Sequence, residues 1–256
     1  MLFKRDKAHS TALVVHVRKA KAAETLEGQS RLVEIDPFAL ERERVLPPGA
    51  AGRHGGAYKM LRTQVLHRLD KIKAASLAIV GNEAGSGKTL TAINLAIAIA
   101  ADPERTVLLV DLDLRKPHIH KRLGFEPMAG IDDYLRQERP LSDTLVRLGG
   151  YERLIVAPAR ERCADSSELL SGGRAQELIR EIRQHDKDRV LIFDLPPVLK
   201  ADDVLAFSRH VDAALIVVGE GHTQRQDLVR TVELLRDLPI VGTVLNRTRE
   251  RVDSYY

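Results

Sequence analysis

The chain is poor in cysteine and aromatics: 256 residues contain one cysteine, no tryptophan, five tyrosines and five phenylalanines. One thiol, Cys163, excludes an intramolecular disulfide and suits a reducing compartment. It reads as an incidental thiol and not as a nucleophile. With aromatics scarce, aliphatic side chains must fill the core. No apolar run reaches the roughly 20 residues that span a bilayer; the most apolar stretch, residues 90–101, falls short. No transmembrane segment of the chain's own is expected. The start, Met1-Leu2-Phe3-Lys4-Arg5, is too charged for a signal peptide. A net charge of +4, spread over many residues of both signs, gives no indication of nucleic-acid binding.

What is present is a strand, a loop and a helix in immediate succession. Ser76-Leu77-Ala78-Ile79-Val80 is apolar and ends at Gly81. Asn82-Glu83-Ala84-Gly85-Ser86-Gly87-Lys88-Thr89 is small, polar and glycine-rich, and Leu90–Ala100 reads as a helix. Gly85 and Gly87 let backbone N–H groups close around phosphate oxygens. The helix N-terminus adds a partial positive charge. Lys88 is positioned for the β- and γ-phosphates, and the Thr89 hydroxyl for Mg²⁺. The usual pattern places glycine five residues before the Gly-Lys pair; here that position is Asn82, and Gly81 precedes it.

Around this unit, short apolar strands alternate with amphipathic helices. Strands are expected over residues 106–111, 154–157, 190–194, 213–218 and 240–245. Helices are expected over 55–73, over 166–184 with a break at Gly172-Gly173, and over 223–236. The pattern predicts a doubly wound, mostly parallel α/β sheet in three layers (α/β/α), the P-loop NTPase arrangement. Ligands of such sheets bind beyond the C-terminal strand ends, where Gly81, Asp111 and Asp194 all fall. The expected organisation is an N-terminal arm over 1–53, mobile apart from a short helix near Phe38–Arg44, then a nucleotide-binding domain over 54–248 and a short tail over 249–256. The basic cluster Arg18-Lys19-Ala20-Lys21 lies in the arm.

Asp194 and Asp111 each end an apolar strand. A carboxylate there, beside a phosphate loop, can hold Mg²⁺ directly or through water. Asp111, Asp113 and Arg115 form a second element: of the two carboxylates, one can join the metal shell and the other can accept a proton from an attacking hydroxyl, and Arg115 can stabilise charge on a transferring phosphoryl group. His118 and His120 have no further histidine or cysteine nearby, so they read as a solvated basic turn and not as metal ligands.

These motifs resemble the bacterial tyrosine kinases of capsule and exopolysaccharide synthesis, P-loop ATPases related to the partition and septum-positioning ATPases. The matching residues are Glu83–Thr89, Asn94-Leu95-Ala96, Val107–Pro117 with its Asp-x-Asp-x-Arg element, Ser167–Leu170, Ile192–Leu199 and Gly242–Asn246. The resemblance implies ATP and Mg²⁺ as cofactors. It implies nucleotide contacts from Glu83, Ala84, Gly85, Ser86, Gly87, Lys88, Thr89 and Leu90, with Asn246 near the adenine. Catalytic roles fall to Lys88, Asp111, Asp113 and Arg115, and metal contacts to Thr89, Asp113 and Asp194. It implies autophosphorylation of tail tyrosines, here Tyr255 and Tyr256. A membrane polysaccharide co-polymerase would act as activating partner, the protein would form homo-oligomers, and it would sit in the cytoplasm at the membrane through that partner.

Two departures stand out. The helix before the first strand usually offers an acid and two basic residues for contacts between subunits; here those positions are Gly56, Lys59 and Arg62, so the acid is missing. The tail reaches at most about 35 Å beyond Asn246, which favours phosphorylation in trans. Two other readings are a partition-type ATPase switch, whose relatives carry lysine at the position of Glu83, and a nucleotide-sensing scaffold without kinase activity.

Overall fold

The computed structural model describes residues 25–185 and 188–248. The first expected strand is β2 (Ser76–Val80), all five residues of which are buried. Its side chains alternate between two faces. Leu77 and Ile79 join one core cluster, Ala78 and Val80 the other. The same division holds for β3 (Val107–Asp111) and β6 (Val190–Asp194). A sheet covered on both sides needs continuous apolar runs and not alternation, which is why these strands are uniformly hydrophobic.

Among the described residues eight strands form one sheet. The remaining members are β1 (Arg31–Val33), β4 (Val146–Leu148), β5 (Leu154–Ala157), β7 (Ala213–Gly219) and β8 (Ile240–Asn246). Their order is β1-β4-β5-β3-β6-β2-β7-β8. Every neighbouring pair is parallel except β4 with β5. On one face lie α3 (Gly52–Ile72) and α4 (Lys88–Ala100), which contribute Val65, Leu69, Ile93, Leu95 and Ile99 to the core. On the other lie α7 (Ser166–Ser171), α8 (Gly173–His185) and α9 (Asp203–Phe207). Phe207 of α9 meets Phe193 of β6 edge to face, with ring centroids 4.9 Å apart. The outer α10 (Arg225–Leu234) follows β7. Among the described residues no helix is long and apolar enough to cross a membrane.

Residues 25–53 depart from the expected arm. After α1 (Leu26–Gln29), β1 adds a parallel strand beside β4. Next, α2 (Pro37–Arg42) starts on Asp36, whose Oδ1 accepts from Phe38 N at 3.0 Å. Leu40, Val45 and Leu46 are buried. The segment is pinned by Asn94 of α4: its Oδ1 accepts from Leu46 N at 2.9 Å and its Nδ2 donates to Arg44 O at 3.0 Å. Tyr151 Oη adds a bond to Leu46 O at 2.8 Å. The two Asn94 bonds join the segment to the helix that opens at the phosphate loop and the Tyr151 bond joins it to the turn after β4, so residues 25–53 belong to the packed body. The cluster at Arg18–Lys21 and the tail tyrosines Tyr255 and Tyr256 lie outside the described residues.

Candidate active site

β2 ends at Val80, and the residue after it is glycine because the surroundings leave no space for a side chain. A Cβ there would lie 2.9 Å from Val217 O and 3.0 Å from Ser86 Oγ. Asn82, at the position where glycine is usual, is buried, and its Oδ1 accepts from Thr223 Oγ at 3.2 Å. Thr223 in turn accepts from Gly219 N at 3.1 Å and lies 3.4 Å from Glu83 Oε1. The loop then turns through Gly85 at φ +82° and Gly87 at φ +97°, conformations that side chains disfavour. α4 begins at Lys88, which leaves its first N–H groups directed at the loop mouth.

Lys88 is buried and folds back over the loop, donating from Nζ to Glu83 O at 3.0 Å. Burial lowers its pKa, opposed by Asp194, Asp113 and Glu83, in that order. An ammonium held this way is stabilised by those acids and can exchange the Glu83 carbonyl for a phosphate oxygen.

Asp111 and Asp194 end adjacent parallel strands in register, and both are buried. Their bonding differs. Asp111 Oδ2 accepts from His118 N at 3.1 Å and Ile119 N at 3.0 Å, and its Oδ1 lies 3.3 Å from Asp113 N. Neither oxygen of Asp194 has a hydrogen-bond partner among the described residues, although the Thr89 hydroxyl lies alongside. Burial raises both pKa values. Asp111 is pushed well up, with Asp194 as the next contributor, and Asp194 is raised to about 7, with Thr89 and Lys88 opposing. Asp113 is half-buried and also raised by burial, with Lys88 pulling it down; its Oδ1 accepts from Lys116 N at 3.1 Å.

A buried carboxylate with both oxygens unbonded is costly unless something pairs with it. Beside a lysine and a hydroxyl at a helix N-terminus, the group that fits is a divalent cation shared with phosphates. Among the described residues no cluster of three or more His, Cys, Asp or Glu is placed to hold a metal by itself. Phosphate oxygens and water would complete such a shell, as magnesium favours. The Ser86 hydroxyl is likewise buried without a partner.

Arg115 is nearby but engaged: Nε donates to Asp203 Oδ2 at 2.9 Å, and a terminal nitrogen lies 3.4 Å from Asp202 Oδ1. Beside it opens a cleft of about 370 Å³ that includes Lys200 and Arg230. Asn246, at the end of β8, donates from Nδ2 to Ser86 O at 3.0 Å. Leu90 packs partly against the core. His120 corrects the reading of a solvated turn: it is buried, on α5 (Ile119–Leu123), while His118 is part-exposed with Nδ1 2.7 Å from Lys116 O. The loop, Asp111, Asp113, Asp194 and Asn246 thus share one edge of the sheet. Sequence reasoning missed Thr223, Asp203 and Arg247. The available signal for Thr223 and Arg247 was position, since each follows the C-terminal end of a strand on that same edge.

Comparison with known proteins agrees. A family model described as the CobQ/CobB/MinD/ParA nucleotide binding domain matches residues 77–255. The tyrosine-protein kinase YwqD of Bacillus subtilis is 27% identical over 202 residues, covering 78% of this chain and 83% of YwqD. The tyrosine-protein kinase Etk of Escherichia coli is 26% identical over 204 residues, covering 78% of this chain; the chain spans only 27% of Etk. Among solved structures, the kinase domain of VpsO superposes with a TM-score of 0.67 at 26% identity, covering 77% of this chain and 97% of that one. With the matched region spanning most of the chain and the phosphate loop built as described, the chain belongs to the CobQ/CobB/MinD/ParA nucleotide-binding domain family.

Proposed function

We propose that this protein is an ATP- and Mg²⁺-dependent tyrosine kinase that phosphorylates Tyr255 and Tyr256 of another copy. Its oligomers would act with a membrane polysaccharide co-polymerase on the cytoplasmic side of the membrane. The observation that carries the reading is Asp194, buried beside Lys88 and Thr89 with neither oxygen bonded. The kinase names of the relatives support the reaction class, and the motif resemblance supports the polysaccharide role. The tyrosines narrow the acceptors. Of five in the chain, Tyr134 and Tyr151 are buried and Tyr58 packs partly against the core, which leaves the two in the tail.

In this reading the loop amides and Lys88 hold the β- and γ-phosphates, while Thr89, Asp194 and Asp113 take the metal. Bound magnesium would neutralise charge that develops on the phosphate oxygens. The acceptor phenol oxygen attacks the γ-phosphorus, the bond to the β–γ bridging oxygen breaks, and ADP leaves. The phenolic proton passes to the Asp111–Asp113 pair. Asp111 is the candidate base: it stands at the tip of β3 in register with Asp194, two residues from Asp113. Asp113 is the more exposed of the two. Asn246 flanks the loop toward the adenine.

The test is incubation of the protein with γ-labelled ATP and Mg²⁺, alone and with a co-polymerase cytoplasmic segment, beside the variant Tyr255→Phe/Tyr256→Phe. Label on the wild type that disappears in the variant is expected. Free phosphate without labelled protein would instead mean a hydrolytic switch, and bound nucleotide without either product a scaffold.

A further inference from the structure

The last residue of β8, Asn246, is followed by a backbone turn that brings a cation over the phosphate loop. Arg247 adopts φ +62°, unusual for a residue with a side chain, and its N–H donates to Asn246 Oδ1 at 2.9 Å. The turn sends the guanidinium back across the loop: Nη2 lies 3.8 Å from where a Cβ on Gly85 would stand. The other terminal nitrogen, Nη1, lies 3.3 Å from His222 Nε2. Among the described residues no carboxylate pairs with Arg247. Among the described residues its side chain contacts the His222 ring nitrogen, a bond that can be exchanged.

The electrostatics of the loop call for such a group. Lys88 lies beneath the loop, buried, and faces the acids Asp194, Asp113 and Glu83. Lys88 shares its charge with these acids, so a second cation outside that set adds to the attraction for a polyphosphate. The guanidinium above the loop is such a cation. Its planar fork can bond two phosphate oxygens at once.

We propose that Arg247 is a phosphate-binding residue of the nucleotide site, exchanging His222 for phosphate oxygens when a nucleotide enters. The inference rests on the nucleotide-binding reading and adds a residue that the loop motif does not contain. Arg247 and Lys88 would then grip the polyphosphate from opposite sides of the loop.

The experiment measures affinity for ATP and for inorganic tripolyphosphate, the second by competition against a fluorescent ADP analogue. It uses the full chain with wild type, Arg247→Ala and Arg247→Lys, and Arg247→Gln serves if the alanine variant melts early. Loss of a charge-assisted bond should weaken Arg247→Ala about tenfold or more. The loss should be similar for ATP and tripolyphosphate, with Arg247→Lys intermediate. Unchanged ATP affinity in Arg247→Ala would overturn the proposal. So would a loss confined to ATP, which would place Arg247 on the base. A wild type that binds neither ligand would sink the nucleotide reading itself, and that result is read before any variant is compared.

Discussion

The side-chain amide of Asn246 occupies the space that a Cβ on residue 87 would need, and its Nδ2 is bonded to Ser86 O at 3.0 Å. Gly87 is thus required twice, by its φ of +97° and by this contact. The strand end and the loop are fitted to each other, which explains why Asn246 belongs to the site although it lies far along the chain.

Gly87→Ala should therefore abolish ATP binding and destabilise the fold. The backbone strain alone is about 1–3 kcal/mol, and the collision with Asn246 adds to it. The double variant Gly87→Ala/Asn246→Ala removes the collision but not the strain. Thermal melting should show partial recovery in the double variant, and ATP titration should show little. Full recovery of both would mean that contact, and not backbone conformation, is what the glycine provides.

Asp194 predicts a pH dependence in the metal- and nucleotide-free protein. Its folded pKa is raised from the usual 3.8 to about 7. A group that holds its proton more tightly when folded stabilises the fold below its unfolded pKa, and this contribution is lost as pH rises through the folded value. Stability from this site should thus fall between about pH 4 and pH 7, by a few kcal/mol at the order-of-magnitude level. Asp194→Asn should reduce that slope, the remainder coming from the raised Asp111 and Asp113, and denaturant melts from pH 4 to 8 in EDTA would read it. The same substitution should lower phosphoryl transfer roughly 10²-fold or more. A gain in stability at pH 7 together with a loss of activity separates a ligand-binding carboxylate from one that only supports the fold.

What the sequence revealed follows from the physics of burial. β2, β3 and β6 are covered on both faces and so announce themselves as unbroken apolar runs. β1 (Arg31-Leu32-Val33) and β4 (Val146-Arg147-Leu148) are three residues each and carry arginine, so neither has a readable period. Leu40, Val45 and Leu46 join an apolar cluster built from residues distant in the chain, and Asn94 bonds the backbone beside them; local pattern cannot show that. The acids at the strand tips were legible because strand end and charge coincide in the letters. The attachment of Arg115 to Asp203, and that of Asn82 to Thr223, join segments far apart in sequence.

Arg115 can be assigned by comparing single and double variants. Asp203 is fully buried, and one oxygen, Oδ1, has no partner among the described residues, so Arg115 is its main compensation. Arg115→Ala should lower stability by about 1–3 kcal/mol, the cost of leaving that carboxylate unpaired. Adding Asp203→Asn should restore most of the melting temperature. If kinase activity returns with stability, Arg115 is a structural latch beside Asp113. If stability returns and activity does not, Arg115 acts on the phosphoryl group.

Asn94 tests the attachment of the N-terminal segment. It is buried on α4 and bonds both Leu46 N and Arg44 O through its single amide. Asn94→Ala strands one donor and one acceptor of the segment's backbone, a loss of about 2–4 kcal/mol. Asn94→Asp keeps the acceptor for Leu46 N but presents an oxygen to Arg44 O, so it should be no better. Limited proteolysis should then cut near the Pro47-Pro48-Gly49 turn, which in the wild type sits between the pinned Leu46 and α3. ATP affinity should change little, because the loop is held from the far side by Thr223 and Asn246. A variant that resists the protease like the wild type would show that Leu40, Val45 and Leu46 hold the segment by apolar burial alone.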